Sequence, residues 1–293
     1  MRFLFLFSLL IATPLSAEPP RVVTTVAPLY GIVADLMRGI GEPASIVTAG
    51  MDPHHFSLKP SQIFTLNDAD ILFAIGGEME PWLPRLLPGI KGEIVYLADI
   101  PSLYDLLLPL RELADIGNDH GHGEIDAFDP HMWLDPVFGR EWVLYAAAAL
   151  AELDAENAEI YNSNAQNAIT SIDVAALRLQ LVAEKLTDVV FVTSHDSLQY
   201  LENRFDLQIT GALSSAAGEQ TGARNLGELK RIPSNVCLLI DTSGNSTDYA
   251  NLFPDWPKVR FDPLGHELAG QPDYLANLYL SLAAALENCI TDP

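Results

Sequence analysis

The hydrophobic and polar positions of this chain divide into two halves, each of which alternates between strand and helix patterns. Short runs rich in Val, Ile and Leu are typical of buried strands, and the segments between them carry apolar residues at helical spacing. The predicted strands cover residues 21–30, 45–48, 71–75, 93–97, 189–193, 207–213, 236–241 and 259–261. The main predicted helices cover residues 31–40, 60–69, 80–87, 139–153, 226–232 and 273–288. This alternation predicts parallel sheets with helices on both faces.

The segment between the two halves has a different pattern. Residues 154–186 contain no Pro or Gly, and their apolar positions keep near-helical spacing. Asp154 can cap the start of such a helix. At a rise of 1.5 Å per residue, one continuous helix here would be about 45–50 Å long. Two shorter helices with a break near residues 171–173 are the alternative.

The fold class that follows is α/β, with two lobes of parallel sheet and flanking helices joined by one long backbone helix. We place the N-terminal lobe at 18–153, the linking helix at 154–186 and the C-terminal lobe at 187–293. Residues 1–17 combine a positive start, an apolar run at 3–12 and a small residue at the end, which is the pattern of a cleaved signal peptide. The apolar run is too short to span a bilayer. We therefore expect an exported protein.

Composition narrows the class of partner. The chain is 49% hydrophobic, which is enough to build sizeable cores, and it carries 16 basic against 39 acidic residues for a formal charge of -23. Nucleic acid and anionic membranes bind proteins through clustered Lys and Arg, so neither is expected as the main partner.

The only two cysteines are Cys237 and Cys289. In an exported protein an even pair favours a disulfide. A bridge closing a loop of this length would add about 4 kcal/mol in the chain-entropy model. Two buried free thiols are the alternative.

Candidate chemistry lies in four loops that are far apart in sequence. His131 lies between two Asp-Pro corners in residues 129–136, and proline restricts both itself and the residue before it. His54, His195 and Asp262 follow the carboxyl ends of predicted strands, where open α/β sheets bind ligands. Three His and one Asp suit tetrahedral Zn²⁺, although Cu²⁺ would bind such ligands at least as tightly. Since a single histidine is more often a hydrogen-bonded loop residue, the hypothesis depends on the shared setting of all four.

The chain resembles the zinc-binding subfamily of periplasmic solute-binding proteins of ABC transporters, the ZnuA-like proteins, over essentially its whole mature length. The segments that carry the resemblance are DPHHFSLKPSQIFTLNDADILF from Asp52, GGEMEPWL from Gly76, DPHMWLDP from Asp129, TSHDSLQYLENRF from Thr193 and DPLG from Asp262.

The resemblance implies a ligand set. The first ligand of the family falls on His54, the second on His131, the third on His195 and the acidic fourth on Asp262. His55 directly follows His54 and is an alternative first ligand. Related manganese binders carry Glu at the third position, so His195 favours zinc.

The resemblance also bears on other residues. Zinc-type members often have a disulfide where Cys237 and Cys289 lie. The family's long His-rich loop is reduced here to His120 and His122, which either capture zinc transiently or lie in a solvated loop without a role. A short loop is compatible with zinc delivery by a separate periplasmic chaperone. His266 has no role in the family pattern and is interpreted as a surface residue.

Neighbouring carboxylates can orient the imidazoles. Metal-bound histidines usually donate their second ring N–H to an acceptor. Asp129, Asp135 and Asp196 lie next to the proposed ligands and could serve, although capping of turns and helices is the stronger interpretation for Asp135 and Asp196.

The function that the resemblance implies is periplasmic capture of Zn²⁺ between the lobes by a monomer that delivers the ion to an ABC transporter permease. No covalent chemistry is expected. Because imidazole must be neutral to bind metal, affinity should fall below about pH 6.5. The alternatives are a manganese or iron carrier of the same fold and a three-His zinc hydrolase. Against the hydrolase, the sequence has no His-Glu-x-x-His motif and Asp262 would close the open coordination position.

Overall fold

Two parallel four-stranded sheets form the frame of the protein. A computed structural model describes residues 18–111, 127–232, 236–243 and 251–291, so the predicted signal peptide lies outside the described residues. The first sheet, in the order β2-β1-β3-β4, contains β1 (Val22–Thr24), β2 (Ala44–Ser45), β3 (Ile71–Ala74) and β4 (Glu93–Tyr96). The second sheet, in the order β6-β5-β7-β8, contains β5 (Val190–Thr193), β6 (Gln208–Ala212), β7 (Val236–Asp241) and β8 (Lys258–Phe261). The predicted two-lobe α/β fold is confirmed.

Seven α-helices accompany the described strands. They are α1 (Ala27–Leu36), α2 (Pro60–Asn67), α3 (Pro136–Leu153), α4 (Ala158–Ala183), α5 (Gln199–Phe205), α6 (Ala223–Leu229) and α7 (Tyr274–Thr291). None of the described helices is long and apolar enough to cross a bilayer.

Two predicted elements of the first half are wrong in their bounds or type. The predicted strand at 21–30 ends at Thr24, and α1 begins at Ala27 with Pro28 in its first turn. Proline is favoured there because its fixed φ suits the helix and its missing N–H costs nothing. The helix predicted at 80–87 is instead a 3-10 helix at Pro84–Gly89, which has prolines at both 84 and 88.

The long helix α4 is continuous but shorter than predicted. It has 26 residues, about 39 Å at 1.5 Å per residue, and does not break near residues 171–173. A separate 3-10 turn covers Ala155–Asn157, and the Asp154 carboxylate accepts hydrogen bonds from Asn157 Nδ2 and Tyr161 Oη instead of capping a helix that begins there. The α4 helix packs on α3 and α7. The lobe boundaries at 153 and 186 stay predictions.

The last helix, α7, is tied to the first, α1. Asp35 of α1 accepts hydrogen bonds from the backbone N–H groups of Asp273 and Tyr274, at 3.2 and 2.8 Å, at the start of α7. Gly31 of α1 lies against the Tyr274 ring so closely that a Cβ atom there would be 2.1 Å from Tyr274 Cγ. The two ends of the chain are therefore held together by a close helix–helix contact.

A disulfide joins the same helix to the second sheet. Cys237 of β7 and Cys289 of α7 are bonded, with their Cα atoms 5.8 Å apart. Both residues are buried. The predicted disulfide is confirmed, and its effect is to fix α7 against the strand that neighbours β5.

We predict that G31A destabilises the protein whereas G227A does not. The methyl group added by G31A would overlap the Tyr274 ring, and overpacking of this kind costs about 1–3 kcal/mol. Gly227 also lies in a helix, but nothing lies within 4 Å of a Cβ built there, so Ala should stabilise α6 by about 0.5–1 kcal/mol. The free energy of unfolding from urea titrations measures both. Equal stability of G31A and wild type would contradict the close contact.

Candidate metal centre

Three histidines converge on one point between the two sheets. His54, His131 and His195 each offer a ring nitrogen, and these nitrogens all lie within 4.8 Å of one another. The Nε2 atoms of His131 and His195 are 3.1 Å apart. A tetrahedral zinc with Zn–N bonds of about 2.0–2.1 Å separates its nitrogens by about 3.3–3.4 Å. The spacing of His131 and His195 therefore fits two ligands of one small tetrahedral cation.

His131 is held from behind by a carboxylate. Asp129 is fully buried, and its Oδ1 atom lies 2.9 Å from the backbone nitrogen of His131 and 2.8 Å from ring Nδ1. Since the carboxylate only accepts, Nδ1 carries the proton and Nε2 presents its lone pair to the cluster. Asp129 thus has the orienting contact predicted for it.

The other two predicted orienting acids have structural partners instead. Asp135 caps α3 by accepting from the backbone N–H of Val137, and it pairs with Arg204 at 2.8 Å. Asp196 pairs with Arg111 at 2.8 Å. The capping interpretation of Asp135 is therefore correct, and Asp196 serves an ion pair next to the cluster.

His195 follows the carboxyl end of β5. Its Nδ1 atom lies 3.3 Å from Ser214 Oγ, and that hydroxyl donates to the backbone oxygen of Ser194 at 3.0 Å. The Ser214 oxygen is therefore the acceptor for His195 Nδ1–H. Nε2 again remains free to face the cluster.

The structure places His54, and not His55, in the cluster. His54 Nδ1 lies 3.3 Å from the backbone oxygen of Glu78, which can only accept. The His55 side chain is 61% exposed, and its Nδ1 pairs with Asp52 Oδ2 at 3.0 Å. Of the two adjacent histidines, His54 therefore joins the cluster and His55 pairs with Asp52, which also accepts from the backbone N–H of His54.

Burial favours the neutral forms of His54 and His195. Burial, with a smaller contribution from His131, lowers the pKa of His54 to about 4. Burial, together with His131 and His54, also lowers the pKa of His195 well below its ordinary value. Protons therefore compete with a metal for these two rings only at a lower pH than the ordinary histidine pKa of about 6.5 implies.

Asp262 lies apart from the three-histidine cluster in the described residues. Its Oδ1 atom accepts from the backbone N–H of Leu264 at 2.9 Å, and its Oδ2 atom accepts from the backbone N–H and ring Nδ1 of His266 at 2.9 and 3.0 Å. His266 is not a surface residue, since its side chain is 10% exposed and packed beside this carboxylate. The assignment of Asp262 as a fourth ligand stays a prediction.

The cluster opens into a cavity of about 200 Å³. Met79, Trp133 and Pro263 line its apolar part, and Asp241 adds a carboxylate from the C-terminal sheet. Asp241 was not among the predicted ligands, although its position at the end of a predicted strand could have indicated it. Asp241 ends β7 directly beside β5, and side chains at the carboxyl ends of adjacent parallel strands meet at one edge of the sheet.

The predicted loop residues His120 and His122 lie outside the described residues.

Comparisons with known proteins find relatives along most of this chain. A family model described as ZnuA, zinc-uptake complex component A periplasmic, matches residues 22–288. The high-affinity zinc uptake system protein ZnuA of Brucella suis biovar 1 (strain 1330) is 29% identical over 329 residues, covering 98% of both chains. The protein of the same name from Paracoccus denitrificans (strain Pd 1222) is 30% identical over 248 residues, covering 75% of this chain and 74% of the relative.

Solved structures share the fold. The AdcAII protein of Streptococcus pneumoniae superposes with a TM-score of 0.76 at 22% identity, covering 93% of this chain and 100% of that chain. The periplasmic zinc-binding protein TroA of Treponema pallidum gives a TM-score of 0.75 at 18% identity, covering 92% and 99%. At these identities the likeness concerns the fold alone.

We predict that the metal-free protein loses stability as the pH falls, in part through His54. Its pKa is about 4 when folded and about 6.5 when unfolded, so between these values the unfolded state binds more protons. The stabilisation is complete above pH 6.5 and decreases toward pH 4. Urea titrations at pH 7 and pH 5 should show that the loss is smaller in H54Q than in wild type, by roughly 1–2 kcal/mol. H55Q is the matched control, and equal pH dependence of H54Q and wild type would contradict the burial of His54.

Proposed function

This chain belongs to the ZnuA family of zinc-uptake components, and we propose that it captures Zn²⁺ with His54, His131 and His195 and delivers the ion to an ABC transporter permease. The observation that carries the proposal is the geometry of the three rings. Each Nδ1 has an acceptor behind it, so the three Nε2 lone pairs can face a common point. Such a site needs little rearrangement when the ion arrives.

The ligand chemistry supports zinc over manganese as the cargo. A trio of imidazoles suits zinc, copper, iron or nickel, whereas manganese prefers carboxylate, carbonyl and water oxygens. The names of the relatives, high-affinity zinc uptake system proteins, support zinc among these metals. Metal analysis of protein isolated without added metal distinguishes the zinc carrier from the manganese or iron alternative.

The path of the protein and its partners follow from the same proposal. Export by a signal peptide at 1–17 would bring the chain to the periplasm, which agrees with the family description. There a monomer with lobes at 18–153 and 187–293 would hold zinc until it docks on the permease. A periplasmic chaperone is a further proposed partner. Capture and release involve no covalent step, which separates this function from the hydrolase alternative.

We predict that wild type binds one zinc ion at the cluster and that H54A, H131A and H195A each weaken binding more than 100-fold. The magnitude follows because even partners outside the coordination shell contribute 10–100-fold. H55A is the matched control and should bind as wild type does, because its ring lies outside the cluster. Competition with a chromogenic chelator at neutral pH measures the affinities. Unchanged binding in the variant lacking all three histidines would refute the proposal.

The fourth position has two carboxylate candidates that can be compared directly. The family pattern favours Asp262. On that proposal the Asp262 carboxylate of wild type leaves His266 to bind the ion, so D262N should weaken zinc binding. D241N is the matched comparison, because Asp241 also ends a strand of the second sheet and lines the cavity. We expect D262N to reduce zinc affinity more than D241N does. The opposite order, in the same chelator competition, would assign the acidic position to Asp241.

A further inference from the structure

Glu80 is a buried carboxylate for which the zinc site just described gives no direct use. It belongs to the segment GGEMEPWL, and its exposed fraction is 0%. Its partners are the Thr25 hydroxyl at 2.5 Å and the backbone N–H groups of Ile75 and Gly76 at 3.1 and 2.8 Å. Burial raises the pKa of Glu80 to about 7, against the effect of these hydrogen bonds. Burying a carboxyl group costs stability, so its presence calls for a reason.

The three hydrogen bonds anchor one turn to the first sheet. Thr25 directly follows β1, and Ile75 directly follows β3, so the carboxylate joins the ends of two neighbouring strands. The backbone oxygen of Gly76 accepts from the N–H groups of Met79 and Glu80 at 3.0 and 2.9 Å. Residues 76–80 therefore form a tight turn that is closed by its own backbone and fastened by the Glu80 side chain.

This turn is the surface against which the His54 loop rests. The backbone oxygen of Glu78, in the middle of the turn, lies 3.3 Å from His54 Nδ1. Just after the turn, Trp82 Nε1 donates to the backbone oxygen of Pro53 at 3.1 Å. Met79 lines the metal cavity beside the histidines. The turn and the Trp82 side chain thus contact the loop at the His54 ring and at Pro53.

The orientation of the His54 ring depends on a backbone turn, whereas the orientations of His131 and His195 depend on side chains. His131 is oriented by the side chain of Asp129 and His195 by that of Ser214, whereas His54 is oriented by a backbone oxygen. A backbone oxygen can hold a ring only as firmly as its own turn is held. The Glu80 carboxyl group suits this task because both of its oxygens accept hydrogen bonds, one from Thr25 and Ile75 and the other from Gly76.

We propose that Glu80 is a positioning residue for His54. By fastening the turn to β1 and β3, it holds the Glu78 carbonyl where it fixes the His54 ring with Nδ1–H toward the turn and Nε2 toward the cluster. The inference rests on the proposed function, because it assigns Glu80 a role in zinc affinity. Glu80 itself does not touch the metal.

A double-mutant cycle tests the proposal through zinc affinity. E80Q keeps the shape but replaces one accepting oxygen with a donor that faces N–H and O–H groups. We expect E80Q to weaken zinc binding by about tenfold in wild type and in H195A, at the lower end of the range for outer partners. In the H54A background E80Q should have almost no further effect. An equal loss in the H54A and H195A backgrounds, or no loss in wild type, would overturn the proposal.

A milder pair of variants covers the case in which E80Q does not fold. T25V removes one hydrogen bond to Glu80 without changing the volume much, and it should weaken zinc binding severalfold. T193V is the matched control, because Thr193 occupies the end of β5 and its buried hydroxyl has no partner in the described structure. We expect T193V to bind zinc as wild type does. Equal affinity of T25V and T193V would overturn the proposal.

Nuclear magnetic resonance reports the tautomer of His54, which a general loss of stability would not change. In metal-free wild type, the ¹⁵N spectrum should show His54 as the Nδ1–H tautomer. E80Q or T25V should mix its tautomers while His131 and His195 keep theirs, and an unchanged His54 signal would contradict the proposal. Absence of zinc binding in wild type would instead refute the proposed function, so the two failures are distinguishable.

Discussion

The structure depends on holding three imidazole rings together so that one ring nitrogen of each lies close to the others. Because Nδ1 of His131 and of His195 each has an acceptor behind it, their Nε2 atoms, 3.1 Å apart, both face the space that a cation would fill. Protons would compete with a cation there, but burial disfavours the charged forms of His54 and His195. The site is therefore suited to a small cation. What maintains it is a set of acceptors behind the rings: a carboxylate, a hydroxyl and a backbone carbonyl.

Those acceptors are rigid because the surrounding frame is. Asp129 and Ser214 are themselves buried, and the turn that carries the Glu78 carbonyl is fastened by Glu80 to two strands. On a larger scale α7 packs against α4, is capped by Asp35 of α1 and is bonded through Cys289 to β7. Each histidine thus sits in a loop, but every loop leaves a fixed element. Preorganisation of this kind reduces the ordering cost of binding.

A carrier and a metalloenzyme place different demands on the same ligands. An enzyme keeps one coordination position open for substrate and needs a base in reach of it. Here the described cavity offers the carboxylates Asp52 and Asp241, and one oxygen of Asp241 already accepts from both the backbone and side chain of Ser243. The acidic surface of the chain adds a weak long-range attraction for cations.

The sequence by itself determined the two-lobe α/β class and the long helix, through strand and helix periodicity and the absence of Pro and Gly from α4. It also favoured the disulfide, because the chain has only two cysteines, and the family resemblance singled out the three histidines. Only the tertiary structure decided which of two adjacent histidines faces the cluster, that Asp262 binds His266, and that Asp241 and Glu80 lie where they do. Thr25 and Glu80 are 55 residues apart, and Asp35 and Tyr274 are 239 apart. No local pattern encodes such pairs, because they form only when distant elements pack together.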